Sequence, residues 1–437
     1  VKTILMNDNY RSSPEILAAA NSLIAKNKNR FNKNLIAHRP SGPKVTCFME
    51  KTAGEEADRV AKEIIELHKK GVPYKDITLL YRAHYVTRNL EEKLLKKKIP
   101  YTIYSGTQFF GRMEIKDALC YLRMIVSQDD MAFRRIINKP KRNIGQRRME
   151  FLTNYASENG CTLFEALRKN VEEPTLKRTG AADFIELIDT FAKDSEGKPV
   201  SEVLSAILDE SGYEKMLRTE GSQERLDNLA ELKQSVFEYE TTCGEETNIV
   251  HYLEHAALFS NMDTGEGQDK VKLMTVHTAK GLEFPYVFIC GMNEGIFPSR
   301  KTRTVNAMEE ERRLAFVAMT RAEKALYITE AGGANLDGSP RYPSRFILDI
   351  DRDKLEFDSP VDEQLMKETM VYVGRSTAFL QEDKDETTME AGTRVRHPVF
   401  GPGTIVEVDG SAHAYLIKFD SMPTMRQISF HARLFKL

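Results

Sequence analysis

Residues 271–300 read VKLMTVHTAKGLEFPYVFICGMNEGIFPSR, and residues 309–329 read EEERRLAFVAMTRAEKALYIT. Val271–Val276 is β-branched and apolar enough to predict a strand. Val287–Cys290 is a short apolar run of the kind buried in parallel sheets. Between them, His277–Pro285 is a polar loop broken by Gly281 and Pro285. Glu309–Arg321 has the periodicity of a helix, with Leu314, Val317, Ala318 and Arg321 on one face. That spacing places Arg321 on the buried side of the helix, at its end. A guanidinium there needs an anion, because an unpaired buried charge is costly.

The flanking sequence extends this strand–loop–helix pattern. Strands are predicted at Thr3–Met6, Val45–Phe48, Ile77–Tyr81 and Tyr101–Ile103. Helices are predicted after Ser12 or Ser13, with Pro14 in the first turn, and at Glu55–Lys69 and Val86–Lys97. Such alternation predicts an α/β fold with a parallel sheet. From about Glu114 to His255 only amphipathic helices follow one another, at Ile115–Val126, Met131–Ile137, Arg148–Glu158, Ala181–Phe191, Val200–Leu208, Glu224–Tyr239 and Ile249–Leu258. The predicted layout is therefore an α/β domain over residues 1–111 and 271–350, interrupted by an all-α domain over 112–270. Asp351–Glu390 carries 12 acidic and 5 basic residues and is predicted to be a solvated linker, with a stray strand at Val371–Val373. From residue 391 to 437, short strands at Thr404–Val408, Tyr415–Phe419 and Arg426–Phe430 are separated by Gly401-Pro-Gly403, Asp409-Gly410 and Pro423. They predict a small SH3- or Tudor-like β-barrel.

Lys and Arg number 63 against 65 Asp and Glu, so any basic footprint must be local. The five cysteines are far apart and form no C-x-x-C pair, which predicts neither a disulfide framework nor a zinc site and fits a reducing cytoplasm. No apolar run approaches a membrane span. Val1 stands almost directly on a predicted strand, as expected of a sequence cut from a longer protein.

Several residues carry candidate chemistry. Tyr10-Arg11 follows a strand and precedes a helix, where an aromatic face can stack on a base and a planar fork can reach phosphate. The plainer alternative is a tyrosine packing on a sheet edge beside a solvated arginine. Glu283, after the glycine turn at Gly281, can accept hydrogen bonds from a ribose or simply start a helix. Thr275 and His277 lie at a strand end, where parallel sheets bind ligands. Arg321 is either a phosphate ligand or a cation neutralising a helix C-terminus. Met131–Met149 holds seven basic residues and no acid. Its Asn138–Gly145 turn, with Lys141 and Arg142, suits phosphate held by backbone N–H groups, though such a run is also compatible with a solvated face. His251 and His255 match H-x-x-E-H without a third ligand, and Asp209-Glu210 falls in a helical pattern, so no metal site is predicted. No G-x-x-x-x-G-K-[ST] occurs.

T-x-H-x-A-K-G-L-E-F, E-E-R-R-L-x-x-V-x-x-T-R and Asn9-Tyr-Arg-Ser12 resemble the late motifs of superfamily I DNA helicases of the UvrD/PcrA/Rep type. Phe109–Asp117 resembles the segment leading into that family's helical insertion, and residues 391–437 resemble its Tudor-like tail. The resemblance implies the C-terminal half of an ATP-dependent DNA helicase. The fold would be a second RecA-like motor domain, of the P-loop NTPase type but without its own P-loop. Tyr10 would stack on adenine, Glu283 beside Gly281 would read the ribose, and Arg11 and Arg321 would act catalytically on the γ-phosphate. Arg82, His84, Thr275, His277 and Ser299 would touch single-stranded DNA, and Lys141 and Arg142 would touch duplex. ATP and Mg²⁺ are the implied cofactors, with the Mg²⁺ ligands supplied by an N-terminal motor domain of the same protein. RNA polymerase is the implied partner of the tail. The sequence departs from the family pattern at Asn293, where glutamate is more frequent, and at His84, where some relatives have asparagine. The competing reading is a non-enzymatic module that binds DNA or RNA polymerase.

Overall fold

The structure is a computed structural model. It describes residues 6–31, 33–242, 247–261, 268–334, 339–380, 389–397, 400–409, 414–420, 422, 425–429 and 434–437. These fall into two units, residues 1–301 with 310–373, and residues 302–309 with 374–437.

The first unit begins with β1 (Asp8–Asn9), α1 (Pro14–Ile24) and β2 (Ile36–Ala37). The predicted first strand lies mostly outside the described residues. Ser13 caps α1 and Pro14 opens it, as the sequence predicts. There follow β3 (Val45–Glu50), α2 (Ala53–Lys69), β4 (Ile77–Tyr81), α3 (Thr87–Lys96) and β5 (Tyr101–Ile103). After the helical block come β6 (Val271–Thr275), β7 (Phe284–Cys290), α13 (Val305–Met319), β8 (Ala322–Ala331), α14 (Arg345–Asp349) and β9 (Leu355–Phe357), with α15 (Glu363–Ala378) beyond them. Strands β3 to β9 form one seven-stranded sheet in the order β5-β6-β4-β7-β8-β3-β9, with every pairing parallel. Strand β4, flanked by β6 and β7, is buried throughout, which explains the run Ile77-Thr-Leu-Leu-Tyr81.

The helical block is α4 (Met113–Val126), α5 (Asp130–Ile136), α6 (Gln146–Asn159), α7 (Leu163–Lys169), α8 (Ala181–Asp194), α9 (Val200–Glu210), α10 (Tyr213–Thr219), α11 (Gln223–Thr242) and α12 (Ile249–Asn261). Helices α7 and α10, seven residues each, are absent from the sequence prediction, because about two turns give little periodicity to read. Buried residues of the block and of the sheet form a continuous apolar core running from Phe48 and Ile77 through Tyr121 and Phe184 to Phe259. The Arg88 guanidinium on α3 ties the two together, pairing with Glu92 on its own helix and with Glu231 and Glu238 on α11.

Within the acidic stretch 351–390, predicted to be a solvated linker, residues 381–388 lie outside the described residues, and the described part carries β9 and α15. β9 joins the sheet edge, Leu355 opposite Val45, and Val371–Val373 lies within α15 rather than in a strand. A three-residue strand among charges leaves no readable pattern, and α15 buries only Met366 and Thr369 among its described side chains.

In the second unit, β10 (Arg394–His397), β11 (Gly401–Asp409), β12 (Ala414–Phe419), β13 (Arg426–Ser429) and β14 (Phe435–Lys436) form an antiparallel sheet in the order β13-β12-β11-β10-β14. Val395, Ile405, Tyr415, Ile417, Phe419 and Ile428 make its core. Gly403 is required there, since a Cβ would lie 2.8 Å from the Lys418 carbonyl oxygen. The predicted Pro423 turn, Gly410 and Phe430 lie outside the described residues.

Candidate functional site: a nucleotide wall and a strand track

The two groups of candidate residues lie at opposite ends of the parallel strands: Glu283 and Arg321 immediately precede β7 and β8, whereas Arg82, His84, Thr275 and His277 lie at or just past the C-terminal ends of β4 and β6, where open α/β sheets bind ligands. One group gathers around Arg321. Helix α13 ends at Met319 and β8 begins at Ala322, so Arg321 lies just past the helix rather than on it. It is half-buried, and so are Leu314 and Val317; the buried face of α13 passes instead through Met308, Ala315, Ala318 and Met319. The predicted face is therefore rotated from the observed one, because Glu311 and Arg312, buried as ion-pair members, do not register in an apolar pattern.

The Arg321 guanidinium donates from Nε to the Val317 carbonyl (3.1 Å), from Nη1 to the Leu282 carbonyl (3.0 Å) and from Nη2 to Thr320 Oγ1 (3.3 Å). Among the described residues these are all uncharged acceptors. The first is the helix-terminus contact that the plainer reading anticipates. Arg11 lies close by. Its Nε donates to Glu283 Oε2 at 2.6 Å and its Nη1 to the Thr320 carbonyl at 3.4 Å. Burial lowers the pKa of Arg321, the positive charge of Arg11 lowers it further, and Glu283 opposes the shift. Two guanidiniums therefore share one carboxylate and the negative end of one helix. That leaves net positive charge for an incoming anion. Glu283 itself is held below its usual range by its hydrogen bond and charge interaction with Arg11. It is exposed, and Gly281 shapes its loop with φ +89, a conformation natural only to glycine.

Tyr10 completes this wall. It is 70% exposed and sits in the turn between β1 and α1, where Asn9 Oδ1 accepts the N–H groups of Arg11 (3.0 Å) and Ser12 (2.9 Å). Sequence reasoning misses His38, which stacks on Tyr10, and Arg39, whose Nε donates to the Tyr10 carbonyl. No motif marks them; β1–β2 pairing alone brings them in.

The second group lines a cavity of about 310 Å³ at the ends of β6, β4 and β7, which holds Arg82, His84, Thr275, His277 and Ser299 together with Glu224, Asp227, Arg300 and Lys301. All five residues expected on the strand track are thus neighbours. Arg82 grips Glu311 of α13 with two nitrogens, Nη2 to Oε1 at 2.7 Å and Nε to both oxygens at 3.1 Å. The Ser299 N–H donates to the same carboxylate at 3.1 Å. Thr275 Oγ1 accepts the Thr278 N–H at 3.2 Å, which closes the turn after β6. Burial, followed by the charge of Arg82, lowers the pKa of His277; burial and Arg112 lower that of His84. Both shifts favour the neutral imidazole. Asn293 is 2% exposed and donates from Nδ2 to Glu330 and to the Ala331 and Tyr342 carbonyls, so it braces the sheet end from within.

The duplex patch divides. Lys141 and Arg147 are exposed, one at the turn and the other in the first residues of α6. Arg142 is not a surface residue. Its Nη1 donates to the carbonyls of Ile136, Ile137 and Pro140, and its Nη2 to Tyr121 Oη and the Ser211 carbonyl, while the guanidinium lies 4.8 Å from the Phe184 ring centroid. Its assignment to DNA is corrected to a structural one. The backbone N–H groups expected to hold phosphate are partly engaged too, since Asn138 Oδ1 accepts those of Arg142 and Ile144.

The model of the UvrD-like helicase C-terminal domain matches residues 4–332, which include every residue of the wall and the track. The chain belongs to the UvrD-like helicase C-terminal domain family. Among curated proteins it is 37% identical over 424 residues to the ATP-dependent DNA helicase PcrA of Staphylococcus epidermidis, and 36% identical over 430 residues to that of Staphylococcus aureus strain Mu50. Each alignment covers 93% of this chain and 58% of the relative, so the chain spans little more than half the length of those helicases. In this UvrD-like chain one of the H-x-x-E-H histidines lies among aromatic rings. His255 packs 4.5 Å from Tyr239 and 5.0 Å from Phe259, and no group of three or more His, Cys, Asp or Glu suited to a metal occurs among the described residues. No helix among them is long and apolar enough to cross a membrane.

Proposed function

We propose that this chain is the second motor half of an ATP-driven helicase that moves on single-stranded DNA and unwinds duplex. The observation that carries this reading is the convergence of Arg11, Glu283 and Arg321 at one sheet end, beside the open face of Tyr10. Adenine stacks on Tyr10, the ribose takes the place of Arg11 on Glu283, and the two guanidiniums reach the γ-phosphate. Arg321 gives up carbonyl acceptors when it does so, and those are weak partners for a charged donor. Its catalytic contribution arises because charge develops on the transferred phosphoryl group, where a positioned arginine is worth about 10³–10⁵ in rate.

The phosphate cradle and the Mg²⁺ ligands come from a P-loop motor domain joined to this one, and ATP lies in the cleft between the two. Mg²⁺, held by residues of that domain, would supply charge neutralisation at the phosphates. Single-stranded DNA lies against Arg82, His84, Thr275, His277 and Ser299, while Lys141 and Arg147 meet duplex phosphates. The tail sheet docks a protein partner, RNA polymerase. The reading as a non-enzymatic module leaves Arg11 and Arg321 only their structural contacts with Glu283 and the end of α13.

The test is DNA-stimulated phosphate release, measured for the chain alone and for the chain joined to a P-loop motor domain. Turnover is expected only in the joined protein, and only with DNA. Turnover by the isolated chain, abolished by Arg321→Ala, would overturn the two-wall reading. A pull-down with the tail should recover polymerase; recovery only by chains lacking the tail would overturn that partner.

A further inference from the structure

Tyr10 is among the most exposed aromatic residues of the chain, yet one face of its ring is covered. The His38 imidazole lies against it with centroids 4.6 Å apart and planes 18° from parallel. The backbone dictates this pairing. β1 and β2 run parallel with Asp8 opposite Ile36 and Asn9 opposite Ala37, and the His38 N–H donates to the Asn9 carbonyl at 2.9 Å. The next step of the ladder sets residue 38 beside residue 10. His38 is itself anchored, with Nε2 at 2.7 Å from Asp8 Oδ1. The neighbouring Arg39 fixes the Tyr10 backbone, donating from Nε to its carbonyl at 3.1 Å and pairing with Glu323 at 3.1 Å.

An exposed tyrosine on a turn would ordinarily keep its rotamers until a ligand ordered them, and binding would bear that entropy. Here two strands, an imidazole and a carboxylate have ordered the ring already. We propose that His38, held by Asp8, is a positioning residue for the nucleotide: it backs the Tyr10 ring and leaves the outer face as a preformed platform for a purine base. The proposal rests on the reading of Tyr10 as the base platform. The bound state is a three-ring stack of imidazole, phenol and purine. Stacking reads the area of a π-face rather than its edge, because every base has such a face. This wall therefore favours purine over pyrimidine nucleoside triphosphates and separates adenine from guanine poorly.

Saturation-transfer NMR on the full 437-residue chain with ATP, GTP or CTP measures the contact directly, and it suits weak binding by one wall of a site. Transfer to the purine ring protons is expected in the unmodified chain and is lost in Tyr10→Ala. His38→Ala should weaken ATP binding about two- to tenfold, the factor for immobilising one side chain on binding, and should narrow the ATP-to-CTP ratio. His38→Phe, which retains the stack, should restore both, a rescue that a merely structural role would not require. Unchanged affinity and an unchanged ATP-to-CTP ratio in a folded His38→Ala chain would overturn the role of His38. Purine signals that survive Tyr10→Ala, or are absent from the unmodified chain, would instead overturn the platform reading itself.

Discussion

Arg142 and Lys141 are adjacent in a basic run, and the structure assigns them opposite fates. The Arg142 side chain is 9% exposed and donates to five oxygens drawn from α4, the turn after α5 and the end of α9. Arg142→Ala strips those acceptors of a charged donor. A buried acceptor left unsatisfied costs about 1–3 kcal/mol. Some of the five will find water through the space the side chain vacates. The expected destabilisation is therefore about 3–5 kcal/mol, the cost of two or three neutral acceptors left unsatisfied. That is a large share of a domain stability of about 5–15 kcal/mol. Lys141→Glu touches nothing buried and should stay within about 0.5 kcal/mol. Urea unfolding followed by far-ultraviolet circular dichroism reads the helical block. Binding to a hairpin duplex across a salt series reads the number of phosphates neutralised. Lys141→Glu should keep the unfolding midpoint and flatten the salt dependence by roughly 0.9 in log–log slope for each phosphate it no longer neutralises. Arg142→Ala should lower the midpoint, with the slope unchanged in whatever remains folded. If Arg142→Ala keeps its midpoint and flattens the slope as Lys141→Glu does, the structural assignment is refuted.

Arg321→Ala, in the chain joined to a P-loop motor domain, should cut ATP turnover by about 10³ or more while the melting temperature stays within a few degrees; early melting with near-normal turnover per folded molecule would make Arg321 a structural member of the helix end. Glu330 is pushed up to about 8, first by burial and then by the charge of Glu56. A carboxyl whose folded pKa is raised contributes stability that is complete below its unfolded pKa and is lost as pH rises through the folded value. Glu330→Gln should therefore raise the melting temperature more at pH 9 than at pH 5, and equal effects at both would contradict it. Because burial and Arg82 lower the pKa of His277, affinity for a single-stranded oligonucleotide should be flat between pH 8 and about 6.5; a rise within that window, removed by His277→Gln, would show a cationic ring instead.

The sequence carries its information unevenly, for physical reasons. The fully buried strand β4 is legible as a short apolar run, and the helices with a wide apolar face are legible because one-sided burial imposes a period. β8 escapes prediction as a strand, although it is buried almost throughout, because it follows Arg321 with no turn residue between them. β9 is hidden by the acids around it. Within the site, Tyr10, Arg11, Glu283 and Arg321 are legible as motifs. His38 is not, since only a two-residue parallel pairing brings it there. Arg142 misleads because a buried arginine and a phosphate-binding arginine look alike in a basic run. Burial and the five acceptors distinguish them, and neither is encoded locally.

The wall and the track share two elements, which under the proposed function would link hydrolysis to movement. The loop from Val276 to Glu283 carries His277, on the cavity, near its start and ends at Glu283, on Arg11. Helix α13 holds Arg82 of the track through Glu311 and offers Val317 to Arg321. The segment from Glu311 to Arg321 spans about 15 Å at 1.5 Å per residue, most of it along one hydrogen-bonded rod. A phosphate that draws Arg321 off Val317 and Leu282 alters the end of α13 and the Leu282 loop together, because the same guanidinium is bonded to both. The Arg82–Glu311 clamp lies at the far part of the same helix. Nucleotide and strand can therefore bias one another through rigid connections. Differential contact with the two states is what such coupling requires. In the proposed function the Arg321 guanidinium would supply it on the nucleotide side, and Arg82, paired with Glu311, would supply it on the strand side.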